Sequence, residues 1–176
     1  MNNNIELPSL RGENLYIPFV GAIIENIDHK KKQILIQIRS KESDPIFSGC
    51  FEIPGGKLKA FEDAYETVRR EVKEECGLNI TSIEDEDKRV DYQNQNNSST
   101  LIQPYCITQM QNGPFIGLIF LCHASGIPLK LTAETKEARW IDVDELDKII
   151  KNSPEKIYTV FLAPLKKYLS ETISPN

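Results

Sequence analysis

The sequence feature that most constrains this chain is an acidic cluster at the end of a helical pattern. Glu71, Glu74 and Glu75 are spaced as i, i+3 and i+4, which places them within about 100° of one helix face. Like charges at these spacings repel, and Gly77 predicts that the helix ends there, where its dipole favours cations. A divalent cation would turn this repulsion into coordination, because hard cations such as Mg²⁺ prefer oxygen ligands. The cluster therefore suggests a metal-binding helix.

The residues before the cluster predict where that helix begins. Asp63 is the predicted N-cap, and Glu66 three residues later completes a capping-box pattern, so the helix should cover residues 64–76. Its apolar stripe consists of Ala64, Tyr65, Val68 and Val72. Upstream, Pro54 stops a short strand, and Gly55-Gly56 lets the backbone turn sharply or approach a ligand closely. The predicted unit is a glycine loop followed by an acidic helix.

Length and charge limit the classes of protein to consider. The 176 residues, 40% of them hydrophobic, suffice for one domain with its own core. A net charge of −5 does not indicate a broad basic surface, so we expect no duplex nucleic acid as partner. No stretch approaches about 18 apolar residues and the N-terminus is polar, so we expect neither a membrane span nor a secretory signal.

The four cysteines indicate a reducing environment. Cys50, Cys76, Cys106 and Cys122 form no C-x-x-C pair, which argues against a structural zinc site. We therefore expect reduced thiols in a cytoplasmic protein.

Strand patterns fill much of the remaining chain. Residues 16–26 and 32–40 are predicted to form a hairpin, and Ile34, Ile36 and Ile38 alternate along the second strand. Further strands are predicted at residues 78–83, 101–110, 115–125 and 138–142. The strand at 115–125 is apolar nearly throughout and should be central.

Two more helices and two loops complete the prediction. A helix at 143–152 should be capped by Asp142, and a last helix at about 155–170 should be kinked or split by Pro164. The polar, Asn-rich residues 84–99 are predicted to be a mobile loop. Residues 126–137 should form a loop with a short strand at 129–131.

The domain organisation follows from these patterns. Residues 1–14 are predicted to be a loose arm without fixed order, and residues 15–176 to be a single domain that includes the C-terminal helix.

The stretch Gly56–Leu78 also matches a known signature without a gap. It reads G-x5-E-x7-R-E-U-x-E-E-x-G-U, where U is a bulky aliphatic residue, with Glu62 and Arg70 at the first E and the R. This resembles the Nudix box, and all seven fixed letters and both U positions agree. The flanking segments FEIPGGK and ARWIDVDEL resemble the family too, so the resemblance covers residues 16–150.

The resemblance implies a fold and a reaction. The fold is α/β, a Nudix-type α/β/α sandwich with a mixed central sheet. The reaction is hydrolysis of the diphosphate bond in a small nucleoside diphosphate derivative, in which the nucleotide is linked to another group X. It implies Mg²⁺ or Mn²⁺ as cofactor, which would neutralise the diphosphate and lower the pKa of a bound water. A small nucleotide-type substrate and a monomer or homodimer are expected.

The resemblance also assigns roles residue by residue. The implied metal ligands are Glu71, Glu74, Glu75 and the carbonyl oxygen of Gly55. Arg70 and Glu62 would orient these carboxylates, which counts Arg70 with the catalytic residues.

The general base and the substrate contacts stay open. Either Glu71 or a loop acid accepts the proton of the attacking water, and Glu134 is the loop candidate with Glu137 as its rival. Arg39 and Lys57 are candidates for contact with substrate phosphate, and a plain surface role for both is an equal alternative.

Two other functions are compatible with the same motif. One is a nucleotide-binding regulatory module without turnover, and the other is an isoprenoid diphosphate isomerase that would use Cys50. His29 and His123 are predicted to be structural. The sequence thus predicts no Ser/His/Asp or Cys/His set for nucleophilic catalysis, which is consistent with a metal-dependent route.

Overall fold

The computed structural model describes residues 7–26, 31–41, 45–132 and 134–173. The strands are β1 (Ser9–Leu10), β2 (Glu13–Asn14), β3 (Ile17–Glu25), β4 (Gln33–Arg39), β5 (Phe51–Glu52), β6 (Gly55–Lys57), β7 (Asn79–Ile83), β8 (Val90–Gln93), β9 (Ser98–Leu101), β10 (Cys106–Gln109), β11 (Phe115–Ser125) and β12 (Thr135–Asp142). The helices are α1 (Ala64–Cys76), α2 (Val143–Asn152) and α3 (Thr159–Thr172). His29, predicted to be structural, lies outside the described residues.

The centre of the fold is a mixed sheet with the strand order β10-β11-β3-β4-β12. β5 pairs with β4, β6 with β3, and β7 with β11. β11 and β3 are parallel, whereas β10 and β7 run antiparallel to β11. β11 thus lies inside the sheet, as its apolar sequence predicts.

Helices cover both faces of this sheet. The core on one face is built from α1 with residues such as Val20, Leu35 and Phe120. The core on the other face is built from α2 and α3 with residues such as Ile34 and Ile36. The alternation predicted for β4 therefore divides its side chains between two cores. The α/β/α sandwich with a mixed central sheet is confirmed.

Two predicted strands and one loop differ from the structure. The segment predicted as a mobile loop, residues 84–99, contains β8 and the first half of β9, and these two strands form an antiparallel hairpin whose side chains are all exposed. The strand predicted at 101–110 is limited to β10, and β12 begins at Thr135 rather than at 138. Polar sequences such as these give little hydrophobic periodicity from which to read strand bounds.

Pro164 does not split the last helix. α3 runs continuously over Thr159–Thr172 with Pro164 inside it, after a separate 3₁₀ turn at Pro154–Lys156. Proline cannot donate to the carbonyl four residues earlier, which belongs to Val160. The hydroxyl of Thr108 on β10 donates to that carbonyl instead, at 3.1 Å. A tertiary contact therefore satisfies the acceptor that Pro164 leaves free.

Asp142 occupies the N-cap position of α2 but does not cap it with its side chain. Its carboxylate accepts a hydrogen bond of 2.7 Å from Gln33 Nε2 and one of 3.2 Å from Lys31 Nζ. The prediction that the Asp142 side chain caps α2 is therefore wrong. Its carboxylate instead accepts hydrogen bonds from Gln33 on β4 and from Lys31, which precedes β4. Among the described residues, every helix is too short or too polar to cross a bilayer.

Candidate active site

Helix α1 has the bounds that its capping residues predict. Asp63 Oδ1 accepts hydrogen bonds from the main-chain N–H groups of Tyr65 and Glu66, at 2.9 and 3.2 Å. Gly77 has φ 73°, and its N–H donates to the carbonyl of Lys73 at 3.0 Å. Because the helix ends at Cys76, its last turn presents Glu74 and Glu75 beside the glycine loop.

The two glycines of the loop make two different close contacts. A Cβ atom on Gly55 would lie 2.2 Å from the carbonyl oxygen of Val20 on β3. A Cβ atom on Gly56 would lie 2.2 Å from Glu71 Oε2. The glycines therefore let the loop lie close to β3 and to Glu71, which brings a carboxylate of α1 against β6. Close approach of a ligand to this loop stays a prediction.

Gly55 directs its main-chain N–H toward Glu75. Hydrogen bonds from Ala22 N to Pro54 O and from Leu58 N to Pro18 O alternate along the β3–β6 pair. Gly55 falls between bonded positions, so its N–H and its carbonyl both point away from β3. Its N–H donates to Glu75 Oε2 at 3.0 Å. The carbonyl that the family resemblance assigns to the metal lies along the same strand edge.

The predicted acids meet in one cavity. A cavity of about 200 Å³ is lined by Glu71, Glu74, Glu75, Thr132 and Glu134. The structure therefore brings the three acids of α1 together with the predicted loop acid. Its rival Glu137 is exposed at the bulge of β12, with φ 51°, and does not line this cavity.

Arg70 connects three carboxylates at the rim of the cavity. Its Nη1 lies 2.7 Å from Glu71 Oε1 and 3.1 Å from Glu74 Oε2. Its Nη2 lies 3.3 Å from Glu62 Oε2. Glu62 Oε2 also accepts a hydrogen bond from the main-chain N–H of Lys59 at 3.3 Å. These contacts are the geometry that an orienting role for Arg70 and Glu62 requires.

Lys41 is a functional candidate that the sequence did not indicate. Its ammonium lies 3.4 Å from Glu75 Oε1 and forms an ion pair with Glu134. Burial lowers the pKa of Lys41, but the charges of Glu75 and Glu134 outweigh that effect and raise it. Lys41 thus connects the loop acid to the helix acid. The local sequence around Lys41 does not predict these ion pairs, because Glu75 and Glu134 are both distant from Lys41 in the sequence.

A buried polar chain supports Glu75 from behind. Gln37 Nε2 donates to Glu75 Oε2 at 2.7 Å, and the thiol of Cys76 donates to Gln37 Oε1 at 3.0 Å. The Cys76 contact fixes the orientation of the Gln37 amide, so that its NH₂ group faces Glu75. Burial raises the pKa of Glu75, while Lys41, Gly55 and Gln37 oppose that rise.

Arg39 and Lys57 do not line the carboxylate cavity. Arg39 Nη1 lies 3.0 Å from Glu52 Oε2, and its guanidinium lies 4.4 Å from the centroid of the Tyr158 ring. Burial raises the pKa of Glu52 to about 7 despite this ion pair. Lys57 is exposed at the end of β6. The contact of these two side chains with substrate stays a prediction.

The loop that carries Glu134 is fastened to the end of α1. The hydroxyl of Thr135 donates to the carbonyl of Glu75 at 3.1 Å, and Leu129 N donates to the carbonyl of Cys76 at 2.9 Å. These bonds satisfy carbonyls that the last helical turn leaves without partners. Thr132 also accepts a hydrogen bond from Glu134 N at 3.3 Å. The position of Glu134 is therefore coupled to that of Glu75.

The residues present fit a hard divalent cation. All the side-chain donors are carboxylates, the ligand type that Mg²⁺ and Mn²⁺ prefer. Glu75 Oε1 is buried and accepts no hydrogen bond from the described residues, which is costly for a carboxylate oxygen. Arg70 pairs with Glu71 and Glu74, whereas Lys41 pairs with Glu75 and Glu134, and each cation leaves net negative charge on its pair of acids. Without a bound cation, however, no three His, Cys, Asp or Glu side chains within the described part of the chain converge as a ligand set.

Solved structures share this fold. A NUDIX hydrolase from Nitrosomonas europaea superposes with a TM-score of 0.64 at 18% identity, over 90% of this chain and 73% of that one. At this identity the similarity defines the fold, which is that of a NUDIX domain.

The sequence defines the family. The model of the NUDIX domain family matches residues 16–161, so the chain belongs to that family. It is 29% identical over 146 residues to an ADP-ribose pyrophosphatase from Methanocaldococcus jannaschii, covering 82% of this chain and 75% of the relative. It is also 29% identical to the 8-oxo-dGDP phosphatase NUDT18 of Danio rerio over 138 residues, which are 76% of this chain but only 34% of that protein. The predicted family and the prediction of a Nudix hydrolase enzyme are both confirmed.

Proposed function

We propose that this chain hydrolyses the diphosphate bond of a small nucleoside diphosphate derivative with Mg²⁺ or Mn²⁺ as cofactor. The observation that carries the proposal is the single cavity that Glu71, Glu74, Glu75 and Glu134 line together. Four carboxylates around one cavity repel a diphosphate unless a cation lies between them. Such a site suits an anionic substrate only as part of a metal-dependent mechanism.

The metal ligands we propose are Glu71, Glu74, Glu75 and the carbonyl of Gly55. When bound, the cation neutralises diphosphate oxygens and lowers the pKa of a coordinated water. Gln37 and the N–H of Gly55 hold Glu75 Oε2. They leave Glu75 Oε1 directed at Lys41, without a hydrogen bond from the described residues. Arg70 holds Glu71 and Glu74 in a fixed relation to each other.

Glu134 is the proposed general base. It lines the same cavity as the proposed ligands, and its side chain is more than half exposed, so water reaches it. Glu71, the alternative base, is committed to Arg70 at 2.7 Å and lies against Gly56. In this assignment Glu134 accepts a proton from the attacking water and Lys41 fixes its carboxylate beside Glu75.

ADP-ribose is the first substrate to test. The relative that matches most of both chains is named as an ADP-ribose pyrophosphatase. A nucleoside diphosphate linked to a sugar has the X group that the Nudix resemblance predicts. 8-oxo-dGDP, after the second relative, is the comparison substrate.

The isomerase alternative has less support. It would need Cys50 near the acids, but Cys50 Sγ contacts the carbonyl oxygen of Glu155 at 3.6 Å and packs against the core beneath α2 and α3. A binding module without turnover would not need a coupled base such as Glu134. Cytoplasmic location and a monomeric or dimeric state remain expectations, the first consistent with four cysteines that form no disulfide among the described residues.

The proposal is tested by turnover of a nucleotide panel in ¹⁸O water. ADP-ribose with Mg²⁺ should yield AMP and ribose 5-phosphate, with ¹⁸O in one of the two phosphates because water attacks phosphorus. Excess EDTA should abolish product formation, and Mn²⁺ should restore it. Tight binding of ADP-ribose without turnover of any nucleotide would favour the binding module and overturn the proposed reaction.

A further inference from the structure

Three adjacent strands place Ser82, His123 and Glu25 in one row, away from the carboxylate cavity. His123 on β11 is in register with Ser82 on the antiparallel strand β7 and with Glu25 on the parallel strand β3. Neighbouring strands lie about 4.8 Å apart, so side chains in one row come within hydrogen-bonding reach. The sequence predicted no such set, because the three residues lie far apart along the chain.

The contacts in this row follow the sequence serine, histidine, carboxylate, as in a catalytic triad. Ser82 Oγ lies 3.1 Å from His123 Nδ1, and His123 Nε2 lies 3.4 Å from Glu25 Oε2. A carboxylate can only accept, so Nε2 of a neutral imidazole carries the hydrogen that faces Glu25. Nδ1 is then the acceptor for the Ser82 hydroxyl, which is the protonation state that a general base needs.

Glu25 is fixed from its other side. The phenol of Tyr168 on α3 is buried and donates to Glu25 Oε1 at 2.7 Å. One oxygen of Glu25 is therefore anchored to the core, and the other faces the imidazole. A third group that holds the base in orientation distinguishes an activated serine from a chance surface contact.

The row opens into a cavity of its own. A cavity of about 410 Å³ is lined by Glu25, Ser82, Ile83, Glu84, Leu121, Cys122 and His123. Ser82 is exposed, and the ladder between β7 and β11 has an irregularity directly beside it, where Thr81 has no partner. Bulges often re-aim side chains next to reactive sites. The cavity combines an apolar wall with two carboxylates, which would repel anions.

We propose that Ser82, His123 and Glu25 form a second, nucleophilic site that takes small uncharged or cationic carboxylic esters. Ser82 Oγ bonds to the ester carbonyl carbon while its proton passes to His123 Nδ1. The bond between that carbon and the alkoxy oxygen breaks, and the leaving alcohol takes the proton from His123. Water then attacks the acyl-serine with His123 as base, which releases the carboxylic acid and restores the Ser82 hydroxyl.

The probe for this site is p-nitrophenyl acetate, used with the full chain. We expect p-nitrophenolate release that depends on Ser82, and an acetyl group on the peptide containing Ser82 when the reaction is quenched early. Ser82→Ala and His123→Gln should each lower the release rate at least about tenfold, since general-base assistance contributes 10²–10⁴-fold. Ser125→Ala, which changes an exposed serine at the end of β11, is the matched control and should leave the rate unchanged.

Thermal unfolding of each variant shows that it is folded, independently of any reaction. Loss of release in folded Ser82→Ala and His123→Gln, with Ser125→Ala unaffected, supports the second site. Release rates within twofold of the unchanged protein in both variants would overturn it, as would acetylation of Ser125 to the same extent as Ser82.

Discussion

The side-chain amide of Gln37 donates a 2.7 Å hydrogen bond to Glu75 Oε2, and both side chains are buried. Gln37 lies on β4 and Glu75 on α1, so this bond fixes the helix acid to the sheet. The thiol of Cys76 holds the other end of the amide. Gln37 and Cys76 therefore help to position Glu75, although neither residue lines the carboxylate cavity.

Replacing Gln37 by Leu should weaken metal binding and turnover together. The change keeps the volume but removes the donor to Glu75, and loss of such supporting contacts typically costs 10–100-fold in affinity or activity. Mn²⁺ affinity and kcat for ADP-ribose are the measurements. Gln109→Leu, on the exposed side of β10, is the control and should change neither. Unchanged Mn²⁺ affinity in Gln37→Leu would remove the positioning role.

Thr135→Val tests the connection between the Glu134 loop and α1. The variant keeps the shape of a buried side chain but leaves the Glu75 carbonyl without its donor, which should cost about 1–3 kcal/mol of unfolding free energy. It should also lower kcat, because Glu134 loses its fixed distance from Glu75.

Thr108→Val is the matched control for that experiment. Thr108 is also buried and also donates at 3.1 Å to a carbonyl, that of Val160 beside Pro164. The two variants should lose similar stability in urea unfolding, but only Thr135→Val should lose kcat. An equal loss of kcat in both would mean that stability alone limits the activity.

Arg70→Gln should lower kcat about a hundredfold with little change in stability. The guanidinium contacts Glu71, Glu74 and Glu62, and its loss frees two proposed ligands to move apart. Arg69→Gln changes the neighbouring arginine, which pairs with Glu86 instead, and should leave kcat within about twofold. Steady-state kinetics on both variants decides this, and equal effects would contradict an orienting role for Arg70.

The stability of the protein should depend on pH through Glu52. Burial raises the pKa of Glu52 from 4.5 to about 7 in the folded state. The folded protein then binds the proton more tightly than the unfolded chain does, so this stabilising contribution is present below pH 4.5 and is lost as the pH rises to 7. At about 1.4 kcal/mol per pKa unit, the contribution is on the order of 3 kcal/mol.

Glu52→Gln should flatten that dependence. The variant has no proton to lose, so its unfolding free energy in EDTA should fall less between pH 4.5 and 7 than that of the unchanged protein. Urea unfolding at a series of pH values measures both. Parallel pH profiles for the two proteins would show that Glu52 does not titrate in this range.

The parts of the site that were predicted from sequence are those that local rules determine. Asp63 and Gly77 fix both ends of α1, and the spacing of Glu71, Glu74 and Glu75 then fixes which way the acids point. Glu134 was predicted through the family resemblance and lines the cavity. Each of these predictions requires only the geometry of neighbouring residues or a recognisable motif.

The parts that were missed depend on distant contacts. Lys41 and Gln37 become site residues only because β4 brings them against the end of α1. The sequence predicts that the Asp142 side chain caps α2, but its carboxylate accepts a hydrogen bond from Gln33 on the neighbouring strand β4 instead. Ser82, His123 and Glu25 meet through strand register, which single-strand patterns do not encode. In each case the partner is chosen by tertiary pairing, which local propensity does not determine.

Binding of Mn²⁺ tests the central claim most directly, because it needs no substrate. We expect electron paramagnetic resonance titration to show Mn²⁺ bound by the unchanged protein, and Glu75→Gln to bind it at least about tenfold more weakly. Glu66→Gln, on the exposed face of the same helix, should bind as the unchanged protein does. Equal Mn²⁺ affinity in Glu75→Gln and Glu66→Gln would contradict a metal site at the end of α1.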